Sequence, residues 1–225
     1  MTKKPASEAK SFQNSYWQSN PQLLCFRHAA ALDLLQKYKV KNFLDIGAGD
    51  GFFIEHARGK NIHGKGIELS DEGIKKCAEK NIAIFQQDIT DGGFGLDERF
   101  DAVTCLDVLE HLLNPGRAME NIGKTDSPYL IVSVPNFNSI TARLQMLMGK
   151  VPENNSPKKG HCFWFTKKVL RDLLQKHNYD IVEWRCNTLK KPLFIPGLML
   201  RLFPSLFALS FVVISKKNKK ILKNT

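Results

Sequence analysis

The chain has 225 residues, 43% of them hydrophobic and 24% charged, a balance typical of a soluble globular protein that is long enough for one α/β domain. Its five cysteines are scattered without a CxxC pair, which argues against a disulfide framework or a zinc site and favours a reducing compartment. The net charge of +11 indicates either attraction to an anionic partner (nucleic acid, anionic lipid or an anionic substrate) or a solvated basic surface.

The first part of the chain predicts a tail and a helix. Residues 1–15 are polar and lack hydrophobic periodicity, which predicts a disordered tail and no secretory signal. Asn20 and Pro21 provide a helix cap and first turn, and apolar side chains at helical spacing continue that helix to about Lys39. We therefore expect a cytoplasmic protein whose folded part begins near residue 16.

Short apolar strands alternate with short helices through the rest of the chain. The predicted strands cover residues 41–46, 64–68, 82–85, 100–106, 129–134, 181–186 and 206–214. The predicted helices include an amphipathic one at 140–148 and an insertion at 192–204, and residues 114–116 predict a break before another helix. The alternation predicts an α/β fold with a doubly wound, mainly parallel seven-stranded sheet and a C-terminal helical insertion.

The most informative stretch is a glycine-rich turn after the first predicted strand. Gly47, Gly49 and Gly51 alternate behind an apolar run that contains Asp45, and a helix is predicted to follow. Glycine lets the backbone turn tightly and approach a ligand, and the N-terminus of the following helix points into the same crevice. Because Phe52 occupies the position of the third glycine, the turn is not the GxGxxG of dinucleotide-binding enzymes.

Three acidic residues fall at the carboxyl ends of consecutive predicted strands. Asp45 lies at the end of the first strand, Glu68 ends the second and Asp88 follows the third. Open α/β sheets bind ligands at this edge, and a carboxylate at Glu68 is an acceptor for both hydroxyls of a ribose. The alternative is that the glycines only turn the chain and that the acids are solvated.

These stretches resemble the motifs of a known family, the class I S-adenosylmethionine-dependent methyltransferases. Residues 44–51 look like its first motif, residues 67–70 like its second, with Glu68 as the ribose acid, and residues 87–89 like its adenine-facing motif. Residues 100–112 are similar to the fourth-strand motif of the branch that contains the ubiquinone-biosynthesis O-methyltransferases. The resemblance implies a Rossmann-like methyltransferase fold and S-adenosyl-L-methionine as cofactor. The cofactor-binding residues that it implies are Asp45, Gly47, Ala48, Gly49, Gly51, Glu68, Leu69, Asp88, Ile89 and Leu106.

The same resemblance implies methyl transfer to a small molecule or to a lipid or glycan precursor, at oxygen. Residues 133–149 are also similar, more loosely, to the MetW proteins of methionine biosynthesis, although residues 108–111 depart from their pattern. A regulatory or partner-binding protein that keeps the fold is therefore one alternative. The net charge of +11 motivates a second, an RNA methyltransferase, but confinement of the charge to the tail and loops argues against nucleic acid as the partner.

His111 is the candidate general base. It follows the fourth predicted strand, beside the expected methyl group, and the pKa of an unperturbed imidazole lies near neutrality. The alternative is that His111 only packs against the motif loop or hydrogen-bonds to it. Asp107, Glu110 and His111 match a spacing at which some members of the ubiquinone branch bind a divalent metal, but the motif is common in metal-free relatives and no metal is predicted. His161 and the aromatic residues after it predict an acceptor-pocket wall or lid, or else a core cluster.

The C-terminal stretch at 193–214 is rich in Leu, Phe and Ile and precedes a lysine cluster. It is long enough to span a bilayer, but prolines, serines and Arg201 interrupt it. The other interpretations are a peripheral contact with the inner membrane face through residues 193–220, which would favour a lipid-linked acceptor, and a helix followed by a buried strand. The predicted organisation is one domain at 16–215 and a basic tail at 216–225.

Overall fold

A computed structural model describes residues 10–11, 13–15, 23–94, 96–152, 159–187 and 197–218. Within these ranges, seven strands form one sheet. The strands are β1 (Asn42–Ile46), β2 (His63–Glu68), β3 (Ile84–Gln86), β4 (Ala102–Leu106), β5 (Tyr129–Pro135), β6 (Tyr179–Asn187) and β7 (Ser210–Lys217).

Helices cover both faces of the sheet. In the same ranges they are α1 (Phe26–Lys37), α2 (Phe52–Arg58), α3 (Asp71–Glu79), α4 (Pro115–Gly123), α5 (Ile140–Leu147), α6 (Lys167–Lys176), α7 (Gly197–Leu202) and α8 (Pro204–Phe207), with a 3-10 helix at Leu109–His111. In the part of the chain that the structure describes, no helix combines the length and the hydropathy that a membrane crossing requires.

The strand order is β3-β2-β1-β4-β5-β7-β6. Strands β1 to β5 pair in parallel with their neighbours, and β7 runs antiparallel between β5 and β6. The predicted α/β class and mainly parallel seven-stranded sheet are therefore confirmed. The chain winds outward from β1 to β3 and then returns to β4 on the other side of β1. Because the winding direction changes there, the ligand-binding edge is expected at the carboxyl ends of β1 and β4.

Strand β1 shows how the core is divided between the two faces of the sheet. Phe43 packs with Leu34, Leu35 and other buried side chains on one face, whereas Leu44 and Ile46 pack in a second cluster on the other face. All of these side chains are fully buried. The alternation follows from the two-residue period of a strand, and an apolar run that is buried on both faces is what a central parallel strand requires.

Two of the element boundaries that differ from the prediction have a clear local cause. The predicted break before α4 is present but shorter than residues 114–116, because the helix already begins at Pro115. The Asn114 side chain accepts a hydrogen bond from the Arg117 N–H, and Pro115 occupies the first helical position, where a missing N–H costs nothing. The last strand begins at Ser210 rather than residue 206, because α8 occupies the preceding turn, and it continues through Lys217. The predicted basic tail therefore begins inside β7. Of the predicted helical insertion at 192–204, residues 192–196 lie outside the described ranges.

The N-terminal residues also differ from the prediction. Residues 10, 11 and 13–15 are helical, so the expected disorder up to residue 15 is wrong for this part. Lys10 pairs with Asp71 at 2.8 Å, and the Asn14 side-chain oxygen accepts a hydrogen bond from the Ser70 hydroxyl at 2.7 Å. These polar contacts hold the segment at the start of α3. Hydrophobic periodicity does not reveal contacts of this kind, so it could not predict the ordered segment. The predicted helix start at Asn20 lies outside the described residues, and α1 begins at Phe26.

Candidate functional site

The glycine-rich turn after β1 has the backbone conformation that its sequence predicts. Gly47, Gly49 and Gly51 have φ angles of 71°, 57° and 75°, in the left-handed region that other residues rarely adopt. A Cβ atom on Gly47 would lie 2.6 Å from Val108 Cγ2, and one on Gly51 would lie 2.6 Å from Ile82 Cδ1. The turn is therefore a stretch of bare backbone packed closely against its neighbours.

Glu68 ties this turn to the start of α3. Its Oε2 accepts a hydrogen bond from the Gly49 N–H at 2.7 Å, and its Oε1 accepts from the N–H groups of Leu69 at 2.9 Å and Ser70 at 2.8 Å. Burial raises the pKa of the Glu68 carboxyl, and these N–H groups oppose that rise. Because the Gly49 N–H already donates to the Glu68 carboxylate, it cannot serve as a donor to a phosphate group. This disfavours a dinucleotide ligand.

Replacing Glu68 with alanine is expected to lower the free energy of unfolding by about 2 kcal/mol, because buried backbone N–H groups lose their acceptor. Urea unfolding of the two proteins measures the difference. The matched control is Asp71→Ala, which removes a largely exposed carboxylate from the next turn and is expected to leave the stability nearly unchanged. Equal losses in both variants would show that Glu68 does not hold the turn.

Asp45 is buried beneath the turn. Its Oδ1 accepts a hydrogen bond from the Thr104 hydroxyl of β4 at 2.6 Å. Burial raises the pKa of Asp45 from 3.8 to about 7, the Thr104 hydrogen bond opposes the rise, and the charge of Glu68 adds to it. A carboxylate that is costly to ionise in the empty protein is well placed to receive a cationic ligand, which would stabilise the charged form.

The remaining predicted cofactor residues lie at the same edge of the sheet. Asp88, two residues beyond β3, accepts hydrogen bonds from the N–H and hydroxyl of Thr90 at 2.8 and 2.7 Å. Ile89 is buried, and its carbonyl oxygen accepts from the Asn121 amide at 3.0 Å. Leu106 ends β4 and is half-buried. Their placement agrees with the prediction, and their roles in binding stay a prediction.

A polar cluster that sequence reasoning missed surrounds Asp107. Asp107 has a φ of +54°, a strained conformation of the kind found at functional sites. Arg27 Nη1 of α1 lies 3.1 Å from Asp107 Oδ2, and the Ser133 hydroxyl of β5 donates a hydrogen bond to Asp107 Oδ1. Arg27 gave no sequence signal, because α1 was interpreted through its apolar face alone.

Glu110 is a buried carboxyl beside this cluster, 1% exposed. Burial, and then the charge of Asp107, raise the pKa of Glu110 well above its ordinary value. Among the described residues, no hydrogen-bond partner is found for its Oε2. Its backbone carbonyl accepts from the N–H groups of Cys162 and Phe163 at 2.7 and 2.9 Å, which holds the segment at 159–165 against the end of β4.

His111 is held in a defined orientation by the same segment. Its Nδ1 lies 3.2 Å from the Gly160 carbonyl oxygen, which only accepts, so we assign the proton of the neutral ring to Nδ1 and the lone pair to Nε2. Burial lowers the pKa of His111 below 6.5, while Gly160 and Asp107 act in the opposite direction. The ring is therefore neutral near pH 7 and available as a proton acceptor.

The structure assembles a different candidate metal group from the one considered in the sequence. Ligand atoms of Glu110, His111 and His161 all lie within 4.8 Å of one another, and one carboxylate with two imidazoles suits a transition metal. Asp107 instead pairs with Arg27. The residue that completes a candidate cation site with Glu110 and His111 is thus His161 rather than Asp107. That the protein uses no metal stays a prediction.

The aromatic residues after His161 divide between the core and the surface. Phe165 is buried and its ring lies 4.9 Å from that of Phe163, as the core-cluster interpretation predicts. Trp164 between them is 54% exposed. The His161 ring itself lies 4.8 Å from the His111 ring, edge to face, so this segment forms one wall beside the candidate base.

Residues 16–184 match a family model described as a methyltransferase domain. The chain is 31% identical over 136 residues to a ubiquinone biosynthesis O-methyltransferase of Glaesserella parasuis serovar 5, covering 55% of this chain and 57% of that protein. It is 31% identical over 86 residues to a protein of the same name from Paraburkholderia phytofirmans, covering 36% and 37%. The chain thus spans about half, or less, of the length of the curated relatives it matches.

Two solved structures illustrate the similarity of fold. One is magnesium protoporphyrin IX methyltransferase from Synechocystis PCC 6803 with bound SAH, at a TM-score of 0.68 and 14% identity, covering 94% of this chain and 99% of that one. The other is a SAM-dependent methyltransferase from Archaeoglobus fulgidus, at a TM-score of 0.59 and 18% identity, covering 84% and 94%. At these identities the match establishes the architecture alone.

Proposed function

The chain belongs to the methyltransferase-domain family, within the class I S-adenosylmethionine-dependent enzymes, and on this premise we propose that it methylates a hydroxyl group of a small-molecule acceptor. One observation carries the proposal. The bare-backbone turn, with the buried carboxyls of Asp45 and Glu68, lies at the end of β1, and the neutral imidazole of His111 lies just past the end of β4, the next strand in the sheet.

The residues at the turn fit the cofactor by charge. S-adenosylmethionine carries a sulfonium and an ammonium group, and when bound it supplies an electrophilic methyl group. Asp45 and Glu68 place buried carboxyls at the turn, and Asp107 adds a third acid at the end of β4. These acids favour a cation and disfavour the pyrophosphate of a dinucleotide. We assign Asp45 to neutralising that charge and Glu68 to shaping the turn, with its remaining acceptor capacity directed at the ribose.

His111 is assigned the removal of the acceptor proton. Its Nε2 lone pair accepts the hydroxyl proton as the oxygen attacks, which contributes typically 10²–10⁴-fold to rate. Asp107, held by Arg27 and Ser133, favours the resulting imidazolium, since its charge acts to raise the pKa of His111. Holding the acceptor oxygen in line with the methyl group supplies the rest of the acceleration.

The identity of the acceptor rests on weaker support. The names of the curated relatives favour methylation at oxygen, and a lipid or glycan precursor is the acceptor class that we propose. Peripheral membrane contact through residues 193–220 is part of the same proposal. Of its described residues, Leu198, Leu202 and Phe203 are 66%, 61% and 56% exposed. A MetW-like regulatory role and RNA methylation are the alternatives that the test must separate.

The test is turnover of methyl-labelled S-adenosylmethionine with extracts from bacteria. We expect S-adenosylhomocysteine to form together with a labelled product that partitions into organic solvent and survives ribonuclease treatment of the extract. Label that disappears after ribonuclease treatment would favour the RNA alternative. A chain that binds the cofactor but gives no product with any extract would favour the regulatory alternative.

A further inference from the structure

Helix α5 has an apolar face that is exposed in the part of the chain that the structure describes. Of its eight residues, all of them described, Ala142 is the one that is buried. Leu144 and Leu147 are 52% and 84% exposed, and Met148, immediately after the helix, is 63% exposed. The sequence predicts an amphipathic helix here, and such a helix normally packs its apolar stripe on the core. In α5 that stripe faces outward.

The apolar face continues into a groove beyond the helix. Gly149, at a φ of +70°, ends α5 in a left-handed turn and donates its N–H to the Met146 carbonyl at 2.9 Å. This turn brings Val151, 66% exposed, close to Trp164, 54% exposed. The groove has a volume of about 330 Å³, and its lining residues include Phe137, Met146, Lys150, Val151, Pro152 and Trp164. We call α5, residues 148–152 and Trp164 the α5 surface.

The α5 surface is anchored rigidly to the sheet. The Phe137 N–H donates to the carbonyl of the buried Phe165 at 2.8 Å. Asn136, fully buried at the end of β5, donates its amide to the carbonyls of Ser205 and Ala208 at 2.9 and 2.7 Å. Asn136 therefore joins the start of the α5 region to the α7–α8 region, whose exposed leucines lie at the same edge of the sheet.

Basic side chains accompany the apolar face of α5. Residues 136–152, all of them described, contain no acidic residue, and their Arg143 and Lys150 are exposed, as is Lys159 in the neighbouring segment. The lysines at the end of β7 do not contribute here, because Lys216 pairs with Tyr129 at the opposite end of β5. Exposed aliphatic side chains framed by basic ones are the combination that an anionic bilayer surface attracts.

Two other occupants fit less well. A second copy of the chain would bring two basic surfaces of the same sign together, which opposes a symmetric dimer through this face. A nucleic acid would be contacted by lysine, arginine and stacked aromatic rings, whereas Leu147, Met148 and Val151 offer aliphatic chains at the centre of the patch. Charge and apolarity together favour lipid.

We propose that the α5 surface docks on an anionic lipid bilayer, with Leu147, Met148 and Val151 entering the interface and Lys150 at the headgroups. The segment that carries Trp164 also carries Gly160 and His161, which contact His111. Docking therefore places the opening beside the candidate base close to the membrane, where an amphiphilic acceptor resides. The docking surface itself does not depend on methyl transfer.

The experiment measures sedimentation of the full chain with vesicles of phosphatidylcholine alone and with phosphatidylglycerol added. We expect binding to the anionic vesicles that weakens at high salt, and a blue shift of tryptophan fluorescence that Trp164→Phe removes. The double variant Leu147→Glu/Met148→Glu is expected to lose at least about tenfold in vesicle affinity. The matched control, Val182→Glu, alters a 47% exposed residue of β6 and is expected to bind normally.

Either of two outcomes would overturn the proposal. One is that the chain sediments with neither kind of vesicle, or that the double variant binds the anionic vesicles as well as the wild-type chain does. The other is a monomer–dimer equilibrium in analytical ultracentrifugation that the double variant abolishes, which would assign the surface to a second copy. The altered side chains are exposed, so circular dichroism is expected to show an intact fold. S-adenosylhomocysteine affinity is expected to be unchanged, which separates this test from that of the enzymatic proposal.

Discussion

Replacing His111 with asparagine is expected to lower the turnover number by about 10²–10⁴-fold, because the amide retains a donor for the Gly160 carbonyl but has no basic nitrogen at the position of Nε2. In the wild-type protein, the turnover number divided by the Michaelis constant is expected to rise with pH and to level off above the pKa of His111, which burial holds below 6.5. This rise reflects deprotonation of His111, because the protonated imidazole cannot act as a base. In the variant the rise with pH should be absent, and steady-state rates measured across the pH range test this.

His161→Asn is the matched control for this experiment. His161 contacts the His111 ring but has no assigned proton-transfer role, so its replacement is expected to change the rate by less than about tenfold. If both variants lose activity equally, and an excess of divalent metal restores activity to both, the group formed with Glu110 is acting as a metal site. That result would contradict the assignment of His111 as general base.

Replacing Asp45 with asparagine is expected to have opposite effects on stability and on cofactor affinity. The pKa of Asp45 is raised by burial from 3.8 to about 7, so the folded state binds a proton that the unfolded state has lost between these pH values. The wild-type protein therefore loses stability as pH rises through that window. Asparagine cannot ionise, and at about pH 8 the variant is expected to be more stable by up to about 4 kcal/mol.

Cofactor affinity is expected to fall about 10- to 100-fold in the same variant, because a buried charge opposite the cationic cofactor is lost. Urea unfolding at several pH values and calorimetry measure the two effects. A second variant, Thr104→Val, removes the hydrogen-bond donor to Asp45 and is expected to destabilise the protein instead. Unchanged stability of Asp45→Asn across the pH range would contradict the assigned pKa.

The sheet and the turn were predictable because their signals are local. The run at 43–46 is apolar on both faces, as a central parallel strand must be, and alternating glycines specify a turn wherever they are placed. Ser70 and Thr166 cap α3 and α6, accepting from the N–H groups of Gly73 and Val169, as serine and threonine commonly do at this position. Each of these features depends on residues within one element and its ends.

The features that sequence reasoning missed depend on residues far apart in the chain. Arg27 reaches Asp107 across eighty positions, and Gly160 meets His111 across 49. Glu68 was predicted as a ribose acceptor, and its bonds to the turn follow from the approach of α3 to Gly49. The periodicity of α5 indicated a helix correctly, but it could not show whether the apolar stripe would face the core or the solvent, since this is decided by what lies beside it.

Calorimetric titration of the wild-type chain with S-adenosylhomocysteine, with and without a nicotinamide dinucleotide, tests the central assignment most directly. We expect one site per chain that binds the sulfur nucleoside. The dinucleotide is expected not to displace this ligand, and Asp45→Asn is expected to weaken its binding. Absence of binding to S-adenosylhomocysteine and S-adenosylmethionine, or displacement by the dinucleotide, would contradict the assignment of the glycine-rich turn as the cofactor site.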